Sequence, residues 1–296
     1  MLCERKGNCS NVLTLTTLCD IIQDIDGISA KTTLGDNKMK LGLEWNYKFD
    51  GSIEEQVVLM KKHGMDACFV GLEEPDLDEI VYCLRKHDIV CESCHAPFKN
   101  INDMWLSGEG GEKVLQTLCD SVDACARNKI PVLVVHLSSG KNPPRMNDIG
   151  FERYDRLMQY ANEKGVIIAY ENIRRLDNVA YMLENYPEAG FCWDVGHEAC
   201  YMDGKEFMVM FGNRIAALHL HDNTAIYGED LHLLPYDGKI DMEKAAMHLA
   251  KSGYKGSIMM EVRPDTARIS DREEFYIKAY ERGMRFAESV EKYKNI

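Results

Sequence analysis

The chain has 296 residues, is 45% hydrophobic, and carries 48 acidic against 35 basic residues for a net charge of −13. That length suits one large domain, such as a barrel of roughly 250 residues plus a tail. The acidic balance disfavours nucleic acid as a partner, because phosphate-binding surfaces carry a basic excess. No apolar run of about 18 residues is present to span a membrane.

The first twenty residues, MLCERKGNCSNVLTLTTLCD, include a Thr-rich apolar stretch but no small-residue cleavage site. They are not read as a signal peptide. Residues 1–38 stand outside the pattern that follows and form an extension, either a cap or a tail. From Met39 the pattern is regular. MKLGLEW reads as a strand and SIEEQVVLMKKHG as a helix stopped by Gly64. DACFVGL, IVCESCHAP, PVLVVHLS, VIIAYEN, AGFCWDVGH, IAALHLHD and GSIMMEV read as seven further strands, each followed by an amphipathic segment. DLDEIVYCLRKHD has early acids and late bases, as the helix dipole prefers. Near-continuous apolar strands alternating with helices predict a parallel sheet covered by helices. Eight such units over residues 39–296 predict a single-domain (β/α)8 barrel. A doubly wound open sheet would want a glycine-rich phosphate turn after the first strand, and GLEWNYKFDGS has none.

Eleven cysteines are an odd number, and Cys68, Cys91 and Cys192 lie inside apolar runs. Free buried thiols in a reducing, cytoplasmic setting fit this better than a disulfide framework. Cys91 and Cys94 form one C-x-x-C with no second pair.

Ligand-capable residues gather at the predicted strand ends. His95 ends strand three, His136 strand four, Glu171 strand five, Asp194 and His197 strand six, His219 and His221 strand seven, and Glu261 strand eight. In a barrel these ends converge on one face, where active sites lie. Period-two alternation puts His219 and His221 on the same side of their strand. Asp230 and His232 repeat that spacing in the next loop. Glu171, Asp194 and Glu261 follow runs that should be buried, and unpaired buried charge is costly. A divalent cation would compensate all three; the mixed oxygen and nitrogen set suits Zn, Mn, Fe or Co. The alternative is a salt-bridge cluster with Arg174, Arg175 or Arg263 as the cations.

The motifs CHAPF, VVHLSSG, YEN, FCWDVGH, LHLHDN, DLHLLPYDGKIDM and IMMEV, in this order, resemble the xylose isomerase-like TIM-barrel superfamily over about residues 39–290. That superfamily joins sugar phosphate isomerases and epimerases to the endonuclease IV-like apurinic-site nucleases of AP endonuclease family 2. The resemblance implies one metal held by Glu171, Asp194, His219 and Glu261. For the nucleases it implies five further ligands of a three-zinc cluster, which match His95, His136, His197, Asp230 and His232. One to three ions are therefore expected. His221 stands where the nuclease motif usually has Asn. The first βα loop, EWNYKFDG, lacks the basic character of a DNA-penetrating loop.

The expected activity is a metal-dependent isomerisation or epimerisation of a sugar, sugar phosphate or related polyol. Glu171 and Glu261 would exchange a proton through a cis-enediolate. His197 would be a third catalytic residue, orienting a substrate oxygen if a single metal is bound. Arg174 and Arg263 are candidates for a substrate phosphate, His221 for substrate contact, and Trp45 and Trp105 for a sugar pocket or for packing. The alternatives are apurinic-site phosphodiester hydrolysis, polyol dehydration on the same scaffold, and a metal-stabilised binding protein without catalysis. A homo-oligomer is compatible with all of them.

Overall fold

A computed structural model of the chain describes residues 39–45, 49–72, 76–201 and 204–295. Residues 1–38, read above as an extension, lie outside them. The eight strands are β1 (Leu41–Glu44), β2 (Ala67–Gly71), β3 (Val90–His95), β4 (Val132–Val135), β5 (Ile167–Glu171), β6 (Gly190–Asp194), β7 (Ile215–His219) and β8 (Ile258–Met260). They form one sheet in the order β7-β6-β5-β4-β3-β2-β1-β8, and the pairings within it are parallel. A parallel bridge from Leu220 to Met260 closes the sheet into a single-domain α/β barrel. Leu220 donates to Met259 O at 2.9 Å, and Glu261 donates back to Leu220 O at 3.1 Å.

Helices α1 (Ile53–Lys62), α2 (Leu77–Lys86), α3 (Glu109–Arg127), α4 (Asp148–Lys164) and α5 (Leu176–Asn185) follow β1 to β5 in turn. Their starts are written in the sequence. Ser52 and Glu55 cap each other across the first turn of α1. Asn147 accepts from Gly150 N at the start of α4, which ends on Gly165 at φ 70°. Asp241 and Asp271 cap α8 (Met242–Ser252) and α9 (Arg272–Lys294) in the same way.

The structure departs from the sequence reading after β6. The strand stops at Asp194, and α6 (Val195–Tyr201) begins at once. His197 therefore lies in the first turn of a helix rather than at a strand end. Asp194 accepts the His197 amide at 2.6 Å, as a capping residue does. The amphipathic segment that follows supplies, over its described residues 204–214, α7 (Phe207–Phe211) and a 3-10 turn, Gly212–Arg214. The Arg214 guanidinium explains the stop. It donates to Leu183 O at 3.0 Å, Tyr186 O at 2.9 Å and Ala189 O, pinning this end of the chain under β6.

Every strand contributes buried side chains to a continuous core. Trp45 and Trp105 belong to that core, at 4% and 1% exposure. Trp105 donates to Leu137 O at 2.7 Å, and Gly150 leaves room for its ring. Both tryptophans pack in the core. All eight cysteines among the described residues are free thiols. No helix among these residues is long and apolar enough to cross a membrane.

Candidate metal centre

The C-terminal strand ends bring together His95, His136, Glu171, Asp194, His197, His219, His221, Asp230, His232 and Glu261. Six of the nine histidines in the chain are here. The other three, His63, His87 and His248, each pair with one partly exposed glutamate elsewhere.

Glu171, at the end of β5, is the hub. Its Oε2 lies 3.1 Å from His95 Nε2 and 3.0 Å from His136 Nε2, and those two nitrogens are 3.2 Å apart. Its Oε1 lies 2.9 Å from His197 Nδ1. Ligands of a tetrahedral zinc, each about 2.0–2.1 Å from the ion, stand about 3.3–3.4 Å apart. The His95–His136–Glu171 triangle has nearly that spacing and supplies three corners of four. His95 donates from Nδ1 to Ala96 O at 2.8 Å, which leaves the Nε2 lone pair facing inward.

A second group is Glu171, Asp194, His219 and Glu261. His219 Nδ1 lies 2.9 Å from Glu261 Oε2, 3.7 Å from Glu171 Oε2 and 4.0 Å from Asp194 Oδ2. The Phe69 ring stacks on His219 at 4.5 Å and holds its plane. Asn172 fixes Asp194 against β5: it donates to Asp194 O and accepts from Asp194 N, both at 2.8 Å. The Cys192 thiol borders His219 but is pushed up to about 12 by burial, so it keeps its proton.

The third group is His197, His221, Asp230 and His232. Asp230 Oδ2 is 3.2 Å from His197 Nε2, and its Oδ1 is 3.3 Å from His232 Nε2. His232 donates from Nδ1 to Glu261 O at 3.0 Å. Its backbone sits at φ 52°, in the left-handed region. A non-glycine residue there costs about 1–2 kcal/mol. The conformation is held by Arg263 N and Thr266 Oγ1, which donate to His232 O.

Electrostatics tie these groups together. Burial penalises the Glu171 and Glu261 carboxylates, yet the surrounding histidines hold both well below the usual range. Burial pulls His197 and His219 down, but their acidic neighbours hold both well above the usual value. Burial keeps His136 low. So many buried charges need cations. Among the described residues no lysine or arginine lies within ion-pair distance of Glu171, Asp194, Asp230 or Glu261; the ion-pair contacts of these four are with histidines. The arginine salt-bridge cluster is therefore not what forms. Arg175 pairs with Asp177, and Arg174 donates to Tyr201 Oη at 2.9 Å while lying over its ring. Arg263 is exposed at the rim. Asp194 Oδ2, both His219 nitrogens, His197 Nδ1, His221 Nε2, Asp230 Oδ1 and Glu261 Oε2 are buried with no hydrogen bond. Close approach without hydrogen-bond geometry is what lone pairs converging on a cation look like. The residues fit a divalent metal.

With this geometry in view, the relatives are informative. The family described as xylose isomerase-like TIM barrel matches residues 57–290. The chain belongs to this family. The uncharacterized protein y4fM of Sinorhizobium fredii is 26% identical over 60% of this chain and 61% of its own. The match thus spans about three-fifths of that relative's length. Among solved structures, 3-keto-D-glucoside 4-epimerase YcjR from E. coli is 17% identical with a TM-score of 0.66, over 84% of this chain and 99% of that one. D-allulose 3-epimerase from Methylomonas sp. is also 17% identical, with a TM-score of 0.64 over 83% and 97%. At such identities the likeness establishes the barrel and nothing finer.

Two residues of this family member's mouth escaped the sequence reading. Glu44 ends β1 beside the cluster; burial, then Glu261, push it up to about 8 against the pull of Arg263, His219 and His95. The strand-end rule applied to β1 would have found it. Phe98, from CHAPF, stacks on His136 at 4.7 Å yet is 42% exposed, forming an apolar wall at the opening. Much of the PYDGKID stretch is scaffold instead. Asp222 accepts from Asn223 N at 2.8 Å, Gly238 N at 2.9 Å and Ile240 N at 3.0 Å, tying the loop to the end of β7.

Proposed function

We propose that this protein is a metal-dependent isomerase or epimerase of a sugar, sugar phosphate or related polyol. The observation that carries the reading is the convergence of Glu171, Asp194, His219 and Glu261 at the ends of β5 to β8, with Asp194 Oδ2, both His219 nitrogens and Glu261 Oε2 unpartnered. That the similar barrels include a 3-keto-D-glucoside 4-epimerase and a D-allulose 3-epimerase supports it. Zn, Mn, Fe and Co suit the donor set. Such a metal supplies Lewis-acid polarisation of a substrate carbonyl, which acidifies the adjacent C–H.

The chain's own residues do the rest. Asp194 and His219, both fully buried, serve as ligands. Glu261 is the more open carboxylate, 12% exposed against 1% for Glu171. Glu261 removes the proton, and Glu171 delivers another to the opposite face from the inner side, drawing it from the surrounding His95, His136 and His197. Arg174, steadied by Tyr201, and the exposed Arg263 meet a phosphate or hydroxyl at the rim. Phe98 faces the apolar side of the sugar ring.

A second reading is phosphodiester hydrolysis at a multinuclear centre. The His95–His136–Glu171 triangle and the Asp230–His232 pair favour it, since a mononuclear isomerase does not need them. The acidic charge of the chain weighs against a duplex DNA substrate. The two readings part in one experiment. Metal-loaded protein is incubated in D2O with a panel of ketoses, aldoses and their phosphates, and in parallel with abasic-site duplex in about 0.15 M salt. Solvent deuterium on the carbon beside the carbonyl supports the isomerase. Strand incision by nanomolar enzyme, without sugar exchange, overturns it.

A further inference from the structure

One histidine of the cluster stands outside the nine residues that match known ligand positions. His221 is completely buried. Its Nε2 lies 3.1 Å from Asp194 Oδ1 and 3.8 Å from Asp230 Oδ1. Its ring stacks on His232, with centroids 4.1 Å apart and planes within 10° of parallel. Side by side, the two imidazoles present Nε2 to the same Asp230 oxygen, and His197 presents its own Nε2 to the other. His197, His221, Asp230 and His232 thus bring one ligand atom each within 4.8 Å of one another.

The chemistry on each side of the ring agrees. Nδ1 faces Asp222 O at 3.5 Å, which places the proton there and the lone pair on Nε2. Nε2 has no hydrogen bond, nor does Asp230 Oδ1. A lone pair aimed at two carboxylates is repulsive unless a cation lies between them. The space for the ring has been built. A Cβ on Gly196 would sit 1.9 Å from His221 Cε1 and 2.4 Å from both ring nitrogens. Gly196 is not among the positive-φ glycines, so the ring, not the backbone, demands glycine there. Asn223 donates to Gly196 O at 2.9 Å and fixes this approach.

We propose that His221 is the fourth protein ligand of the outer metal position, making a three-histidine, one-aspartate set with no open coordination site. The idea rests on the metal-binding part of the proposed function and extends it. A position closed by four protein ligands is structural, whereas catalytic positions keep one open. Chemistry is then confined to the two groups that share Glu171, and the outer ion braces the loop carrying Asp230 and His232.

The test is metal retention in the full chain. Wild type and His221→Asn are loaded with zinc, desalted, and followed by elemental analysis during dialysis against a chelator; cobalt-loaded samples are read by visible absorption. The expected result is a slowly released equivalent in wild type that His221→Asn loses at least about tenfold faster, as ligand-shell changes commonly cost 10–100-fold in affinity. The intense bands of four-coordinate cobalt should fall with it, while the metal at the Glu171 groups stays. Gly196→Ala keeps the imidazole but displaces it, and decides the question by the same release rate if His221→Asn does not fold. Wild-type stoichiometry and release in folded His221→Asn would overturn the assignment while leaving the metal enzyme intact. A wild type that takes up no metal would overturn both.

Discussion

The two ends of the barrel handle polar groups in opposite ways. At the N-terminal end, Arg214 donates to three carbonyls, and Glu92 accepts from Ser257 N at 3.1 Å and Ser257 Oγ at 2.6 Å. These groups find directional partners within the fold. At the C-terminal end, four carboxylates and six histidines crowd together, and eight of their buried polar atoms go without a hydrogen bond. A fold that can satisfy its polar groups at one end and leaves them unsatisfied at the other has reserved the second end for something external. Buried, unpaired groups each cost about 1–3 kcal/mol, more when charged. The mouth is therefore held at the expense of stability, and the base supplies stability.

The strongest way to break this contrast is Glu261→Gln. The amide keeps size and one oxygen ligand but loses the basic carboxylate. Turnover should fall about 10²–10⁴-fold with most of the metal retained. Retained kcat would move the proton transfer to another group, Glu44 first, since it borders Glu261.

A smaller effect sharpens the division of labour. Arg214→Ala should cost about 2–3 kcal/mol by stranding its carbonyl partners. Chelation should lower stability separately, by about 4 kcal/mol when free metal had stood a thousandfold above its Kd. Distant sites add, so the Arg214→Ala loss should be the same with and without metal in denaturant titrations. Strong coupling would mean that the ends are not independent.

The smallest effect is a pH dependence. Burial pushes Glu92 up against its Ser257 hydrogen bonds and Lys40. A raised carboxyl binds its proton more tightly folded than unfolded. Its contribution is thus full at low pH and is lost as pH rises through the folded value. Glu92→Gln cannot titrate, so its Tm should fall less than that of wild type as pH rises above the usual carboxylate range. An equal or steeper fall in the variant would contradict that direction.

The sequence carries the barrel well, because strand and helix periods alternate eight times and nearly every strand end is marked by a polar residue after an apolar run. Glu171, Asp194, His219 and Glu261 need only the strand-end rule to become neighbours; that they form one ligand set is what the family resemblance implies. What was hidden depends on contacts between distant segments. Asp222 looks like one more acid beside His221 until Gly238 and Ile240 fold back to donate to it. Trp45 looks like a sugar platform until its burial is known. Glycine at 196 carries no turn signal; only the His221 ring explains it. His197 seemed to end a strand because AGFCWDV stays apolar past Asp194, where the chain already turns into α6.

The central claim is that the buried carboxylates at the mouth exist to hold metal. Elemental analysis of the purified chain beside Asp194→Ala, with anomalous diffraction from crystals, tests it most directly. The account predicts at least one equivalent of a divalent transition metal, an anomalous peak among Glu171, Asp194, His219 and Glu261, and its loss in Asp194→Ala. A folded protein that takes up no such metal, or an Asp194→Ala variant with unchanged content and activity, would contradict it.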